Sequence, residues 1–126
     1  MRPLHGAPPV RAGVVRFESY TVETMEVVVL APVQDFIGTL DPSIRAKAYR
    51  LVDLLEEYGR DLTMPNGKPI GQGLWELRSR TRPAIRILYG FCNGQAVLVH
   101  ALKKQRPALL PRDTELARKR LRTYCA

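Results

Sequence analysis

The chain has 126 residues and only two cysteines, two histidines and one tryptophan. Cys92 and Cys125 show neither a C-x-x-C spacing nor a disulfide framework, so they read as bystanders rather than metal ligands. A reducing compartment is the simpler expectation from such cysteine use. No apolar run approaches the length of a bilayer span, and no continuous apolar stretch follows the first cations at the N-terminus. The expected location is therefore the cytoplasm, with no membrane partner. The length suits one small domain with a single sheet and a few helices.

Acidic residues are scarce in one part of the chain. Residues 1–69 hold eight cations and nine acids, for a net of −1. Residues 70–126 hold twelve cations against Glu76, Asp113 and Glu115, for a net of +9. The whole excess of +8 thus sits in the second part. A one-sided basic field concentrates polyanions, which points to nucleic acid or an acidic protein as the partner.

Residues 1–22 contain Pro3, Pro8, Pro9, Gly6 and Gly13 without sustained periodicity and read as a flexible arm, leaving one domain over 23–126. Met25 to Leu30 is rich in valine and reads as a strand. A short helical turn through Phe36 and Ile37 follows. Asp41 and Pro42 then announce a longer helix, with Ile44, Ala48, Leu51, Leu55 and Tyr58 as its inner stripe and Gly59 as its stop. The segment from Arg60 to Gln72 is turn-rich and reads as a connection.

Strands are expected over roughly 73–80, 84–92 and 95–103, the last two joined by an Asn93-Gly94 hairpin. From Pro111 to Tyr124 a proline start, early acids and late cations predict a helix with Leu116, Ala117, Leu121 and Tyr124 inside. Together these elements make an α+β domain: an antiparallel sheet of about four strands, two N-terminal helices on one face and a C-terminal helix.

The arginines within the strands are the main chemical signal. Alternation turns Trp75 and Leu77 to the core and Glu76, Arg78 and Arg80 to the other face, which Arg86 joins if the register is favourable. An unpaired guanidinium cannot face a core, so the expectation is an open sheet face whose row of forked cations suits phosphate. Trp75 and Tyr89 read as core. His100, between Val99 and Ala101, reads as a packed or hydrogen-bonded histidine.

The order of these elements, with Gly-Leu-Trp-Glu-Leu-Arg in one strand, Arg-Ile-Leu-Tyr in the next and His100 to Lys104 ending the third, resembles the RelE/HigB toxins of type II toxin–antitoxin pairs. The likeness covers about residues 25 to 124 and is greatest to the HigB branch. It implies a RelE-like microbial RNase fold and a metal-independent endoribonuclease that cuts mRNA on the ribosome, without a cofactor. By position in the pattern, Arg86, Arg78, Lys104 and Tyr124 are the implied catalytic residues. Arg80, Lys103, Arg106, Arg118, Lys119, Arg120 and Arg122 are the implied RNA contacts.

The resemblance further implies a cognate antitoxin, commonly of helix-turn-helix type, and contact with operator DNA only through the antitoxin complex. This chain departs from the HigB pattern in having no histidine after His100. The same superfamily fold also serves ParE-like inhibitors, which act on DNA gyrase by protein binding, and that is the alternative function.

Overall fold

The computed structural model describes residues 24–126 in full and, before them, the backbone of two strands, β1 (Val14–Phe17) and β2 (Tyr20–Glu23). These two strands pair antiparallel, with Val15 opposite Val22, inside the segment read as an arm. The rest of that segment lies outside the described residues.

The main sheet has five strands: β3 (Glu26–Val29), β4 (Gly67–Gly71), β5 (Leu74–Arg78), β6 (Ile85–Cys92) and β7 (Gln95–Lys103). Their order is β3-β7-β6-β5-β4. It is a mixed sheet, not the antiparallel sheet expected, because β3 runs parallel to β7. Two helices, α1 (Ala31–Gly38) and α2 (Pro42–Tyr58), carry the chain from β3 at one edge to β4 at the other, and the strands β4 to β7 then return step by step until β7 lies beside β3.

β4 is a second correction. Its sequence, Gly-Lys-Pro-Ile-Gly, reads as a turn, yet it pairs with β5 as an edge strand, where a proline costs no ladder bond on the open side. A two-residue hairpin at Gln72 and Gly73, both at positive φ, links the two strands. The expected Asn93-Gly94 hairpin is present, also with both residues at positive φ.

β6 is buried on both faces from Ile85 to Gly90, and two cores form on either side of it. Helices α1 and α2 cover one face and pack Val33, Ile37, Ala48, Leu51, Val52 and Leu55 against Leu77, Ile87, Tyr89 and Leu98. Trp75, Tyr89 and Phe91 cluster in this layer as the alternation requires: Trp75 stacks on Tyr89 with ring centroids 6.3 Å apart, and Phe91 meets both edge-on at 5.8 and 5.6 Å. Helix α2 starts at Pro42 and stops at Gly59, which is at positive φ; Asp41 stands at the N-cap position without a side-chain cap bond. Tyr58 is half exposed rather than inside. Glu56 takes the buried place instead, and its backbone carbonyl accepts from Met25 N at 2.8 Å.

Helix α3 (Pro111–Cys125) covers the opposite face over Val28, Leu74, Leu88, Val97 and Val99. It rides close to the sheet because Ala117 is small and Gly90 below it has no side chain. A Cβ at Gly90 would collide with Leu121 and lie 3.2 Å from the Gly73 carbonyl oxygen. The helix is turned from the expected orientation: Leu116 and Tyr124 are exposed, while Asp113, Ala117, Arg120 and Leu121 face inward.

The cysteines are not bystanders. Cys92 at the end of β6 and Cys125 at the end of α3 form a disulfide across 33 residues of chain. The sequence has no spacing signal for it, since the pairing arises only when α3 folds back along β6.

Candidate functional site

Arg78 and Arg86 stand directly opposite each other in the antiparallel β5–β6 ladder. Like charges at such a position repel. Glu76, two residues before Arg78 and so on the same face, resolves the conflict: one carboxylate oxygen lies 3.4 Å from Arg78 Nε and the other 3.3 Å from Arg86 Nε. The contacts are ionic without hydrogen-bond geometry, because Arg86 Nε and Glu76 Oε1 have no hydrogen-bond partner.

This face is not open. Glu76 is 1% and Arg86 4% exposed, on the sheet face that α3 covers. From the segment that leads to α3, the Pro107 carbonyl accepts a bond from Arg86 Nη2. Sequence alternation therefore put the arginines on the right face and mistook its cover. A buried guanidinium is stable here because a buried carboxylate and a carbonyl meet it.

Two clefts converge on Arg86. One, of about 340 Å³, is lined by Arg86, Lys103, Lys104, Arg106 and Arg112 together with Phe36 and Leu110. The other, of about 260 Å³, is lined by Arg78, Arg80, Arg86 and Lys104 together with Met64 and Pro65. Arg86 and Lys104 are common to both, so they sit at the junction.

The backbone that carries these groups is well tied. Lys104 N donates to Ala84 O at 2.8 Å, extending the β6–β7 pairing past the end of β7. Arg80 lies in the link after β5 rather than in the strand. Ser79 Oγ accepts from Ile85 N at 2.8 Å, and Thr81 Oγ1 donates to Pro83 O at 2.8 Å, which closes that link.

Of the residues singled out from the sequence, Arg78, Arg80, Arg86, Lys103, Lys104 and Arg106 come together at this end of the sheet. The others do not. Tyr124 donates to Gln95 Oε1 at 3.1 Å, at the far end of β7, seven residues from the Leu102 that pairs with Arg86. At ~3.3 Å per residue that is on the order of 20 Å. Arg120 serves the fold, its Nη1 donating to Val99 O at 2.9 Å and lying 3.4 Å from His100 Nδ1. Arg118 is half-buried, with Nε lacking a partner. Lys119 and Arg122 are exposed on α3 and line neither cleft.

His100 is hydrogen-bonded, as its position between apolar residues implied: Nε2 and Asp113 Oδ1 are 2.9 Å apart. Its side is set by a bulge. Leu88 pairs with His100 and Tyr89 with Leu98, so Val99 is extra and the alternation of β7 breaks there. Arg112 was missed by the sequence reading. Its signal was its place next to Pro111, at the start of a helix whose N-terminus approaches the cations of β7.

The family described as Phage derived protein Gp49-like (DUF891) matches residues 35–122, and the chain belongs to that family, a RelE/toxin-like family in toxin–antitoxin contexts. The match takes in the end of α1, all of α2, β4 to β7 and most of α3, and begins after β3. No curated protein matches the chain.

Proposed function

We propose that the protein is the toxin of a type II toxin–antitoxin pair and that it acts as an endoribonuclease on mRNA in the ribosome. Membership of a toxin-like family supports the class. The observation that carries the activity is Arg86, held by Glu76 and Pro107 at the junction of two cation-lined clefts.

The proposed reaction uses the RNA's own nucleophile. The ribose 2′-hydroxyl gives its proton to solvent as its oxygen attacks the adjacent phosphorus, the 5′-oxygen of the next nucleotide leaves and takes up a proton, and a 2′,3′-cyclic phosphate remains. Negative charge gathers on the phosphorane-like transition state. A guanidinium fixed before the reaction stabilises that charge without reorganising, and each such contact is worth roughly 100-fold or more in rate. Arg86 takes this role, with Lys104 beside it and Arg78 and Arg80 on flanking phosphates. Among the described residues neither cleft is lined by a histidine, so Lys104, which lines both, is the proposed proton donor at the leaving oxygen.

A cognate antitoxin, the ribosome and mRNA are the proposed partners, operator DNA is reached only through the antitoxin complex, and the cytoplasm is the proposed place of action. Mapping mRNA 5′ ends after induction tests the reading. The wild type is expected to generate new ends within translated messages, while Arg86→Ala and the less buried Lys104→Ala lose them. Gyrase-dependent DNA breaks with intact mRNA overturn the proposal in favour of a ParE-like inhibitor.

A further inference from the structure

A third cleft continues the first two. It has a volume of about 250 Å³ and lies between α2 and the end of β5, lined by Lys47, Arg50, Leu51 and Leu54 on the helix and by Arg78 and Arg80 opposite. Arg78 and Arg80 also line the second cleft, which in turn shares Arg86 and Lys104 with the first. The three form one track around the end of the sheet, from the start of α3 past Arg86 to the middle of α2.

The charge along this track is nearly of one sign. Its linings contain nine cations, and the single carboxylate among them, Asp113, is engaged by His100. Lys47 and Arg50 come from the part of the chain whose net charge is −1, so the charge arithmetic of the sequence hides them. On α2 they are exposed and lie three residues apart, on neighbouring turns of the same face. Apolar surface accompanies the cations at every stage: Phe36 and Leu110 in the first cleft, Met64 and Pro65 in the second, Leu51 and Leu54 in the third.

We infer that this track binds single-stranded RNA beyond the proposed cleavage position, with Lys47 and Arg50 of α2 holding phosphates on one side of Arg86 and Lys103, Arg106 and Arg112 on the other. The assignment rests on the RNase reading for its placement of Arg86. A bent path with alternating charge and apolar surface suits a flexible strand with unstacked bases; a stiff duplex cannot follow it. Cleavage at Arg86 then occurs inside a bound segment rather than at a strand end.

Binding separates this inference from the RNase reading. The probes are fluorescent 2′-O-methyl oligoribonucleotides of roughly 12 nucleotides, whose capped 2′-oxygen blocks the attack. Anisotropy titrations at several salt concentrations compare the wild type with Lys47→Ala/Arg50→Ala. The double variant leaves the core face of α2 intact, and circular dichroism checks its fold. The expected result is a roughly tenfold weaker affinity and a salt slope reduced by about 1.4, the value for two lost contacts to a single strand. Equal affinity and slope in the two proteins overturn the inference, as does wild-type binding of duplex as tight as single strand. Tight, Lys47- and Arg50-dependent binding without any mRNA cleavage in cells upholds the track and sinks the RNase reading instead.

Discussion

Arg86 and Glu76 are ion-paired at 3.3 Å, with side chains 5% and 1% exposed. The same carboxylate meets Arg78, so one buried anion sets the geometry of two cations that the β5–β6 register places face to face. Both cations line the cleft beside them, and Arg86 also lines its neighbour.

Replacing Glu76 by glutamine should therefore destabilise the protein strongly, by about 3–5 kcal/mol, because a buried guanidinium loses its counter-charge. Urea unfolding measures the loss. Adding Arg86→Met to the variant should recover much of it, since the unpaired cation is then gone; a single variant as stable as the wild type contradicts this account.

Lysine cannot replace Arg86. A guanidinium can meet Glu76 with Nε and Pro107 O with Nη2 at once, whereas an ammonium on a flexible stem cannot span the two. Arg86→Lys is expected to keep the fold but to lose roughly 100-fold or more of the proposed mRNA cleavage. Single-turnover cleavage on programmed ribosomes reads this directly.

The Cys92–Cys125 bond closes 33 residues of chain and fastens the end of α3 to β6. Loop-closure entropy gives a contribution of about 3–4 kcal/mol. Thermal melts with and without a dithiol reductant should show a clear fall in Tm on reduction, and Cys92→Ser/Cys125→Ser should melt like the reduced wild type. In a reducing compartment the thiol pool opposes such a bond, so these melts compare the two redox forms.

Burial pushes the Tyr89 phenol up to about 12, from an ordinary value of 10.0. Its hydroxyl is buried without a partner, next to Gly67, where a Cβ would come within 3.1 Å of it. Below pH ~10 both folded and unfolded states hold the proton; above it the unfolded state ionises first. Stability should accordingly fall as pH rises from about 10 towards 12. Tyr89→Phe should flatten that limb in urea titrations, while the wild-type slope persists.

Local rules were enough for much of the fold. Pro42, Gly59, Pro111 and the Asn93-Gly94 pair mark boundaries because each acts through its own backbone angles, whatever surrounds it. Period-two alternation placed Trp75 and Leu77 opposite Glu76 and Arg78 for a similarly local reason. β4 escaped because an edge strand of glycine, lysine and proline owes its conformation to β5 rather than to its own residues. The inner side of α3 was misjudged because polar Asp113 and Arg120 replace apolar residues there, each satisfied by a partner on β7.

The arginine site divides along the same line. That Arg78 and Arg86 belong to one sheet face, in a strongly basic second part of the chain, follows from strand geometry and charge alone. Their burial, the sharing of Glu76, the exclusion of Tyr124 from their neighbourhood and the arrival of Lys47 and Arg50 beside them are long-range events. Apart from Glu76, whose pairing with Arg78 spans two residues of one strand, these contacts join residues tens of positions apart, which no local spacing encodes. They exist only once α2 and α3 are laid on opposite faces of the sheet, where burial makes an unmatched charge costly enough to choose its partner.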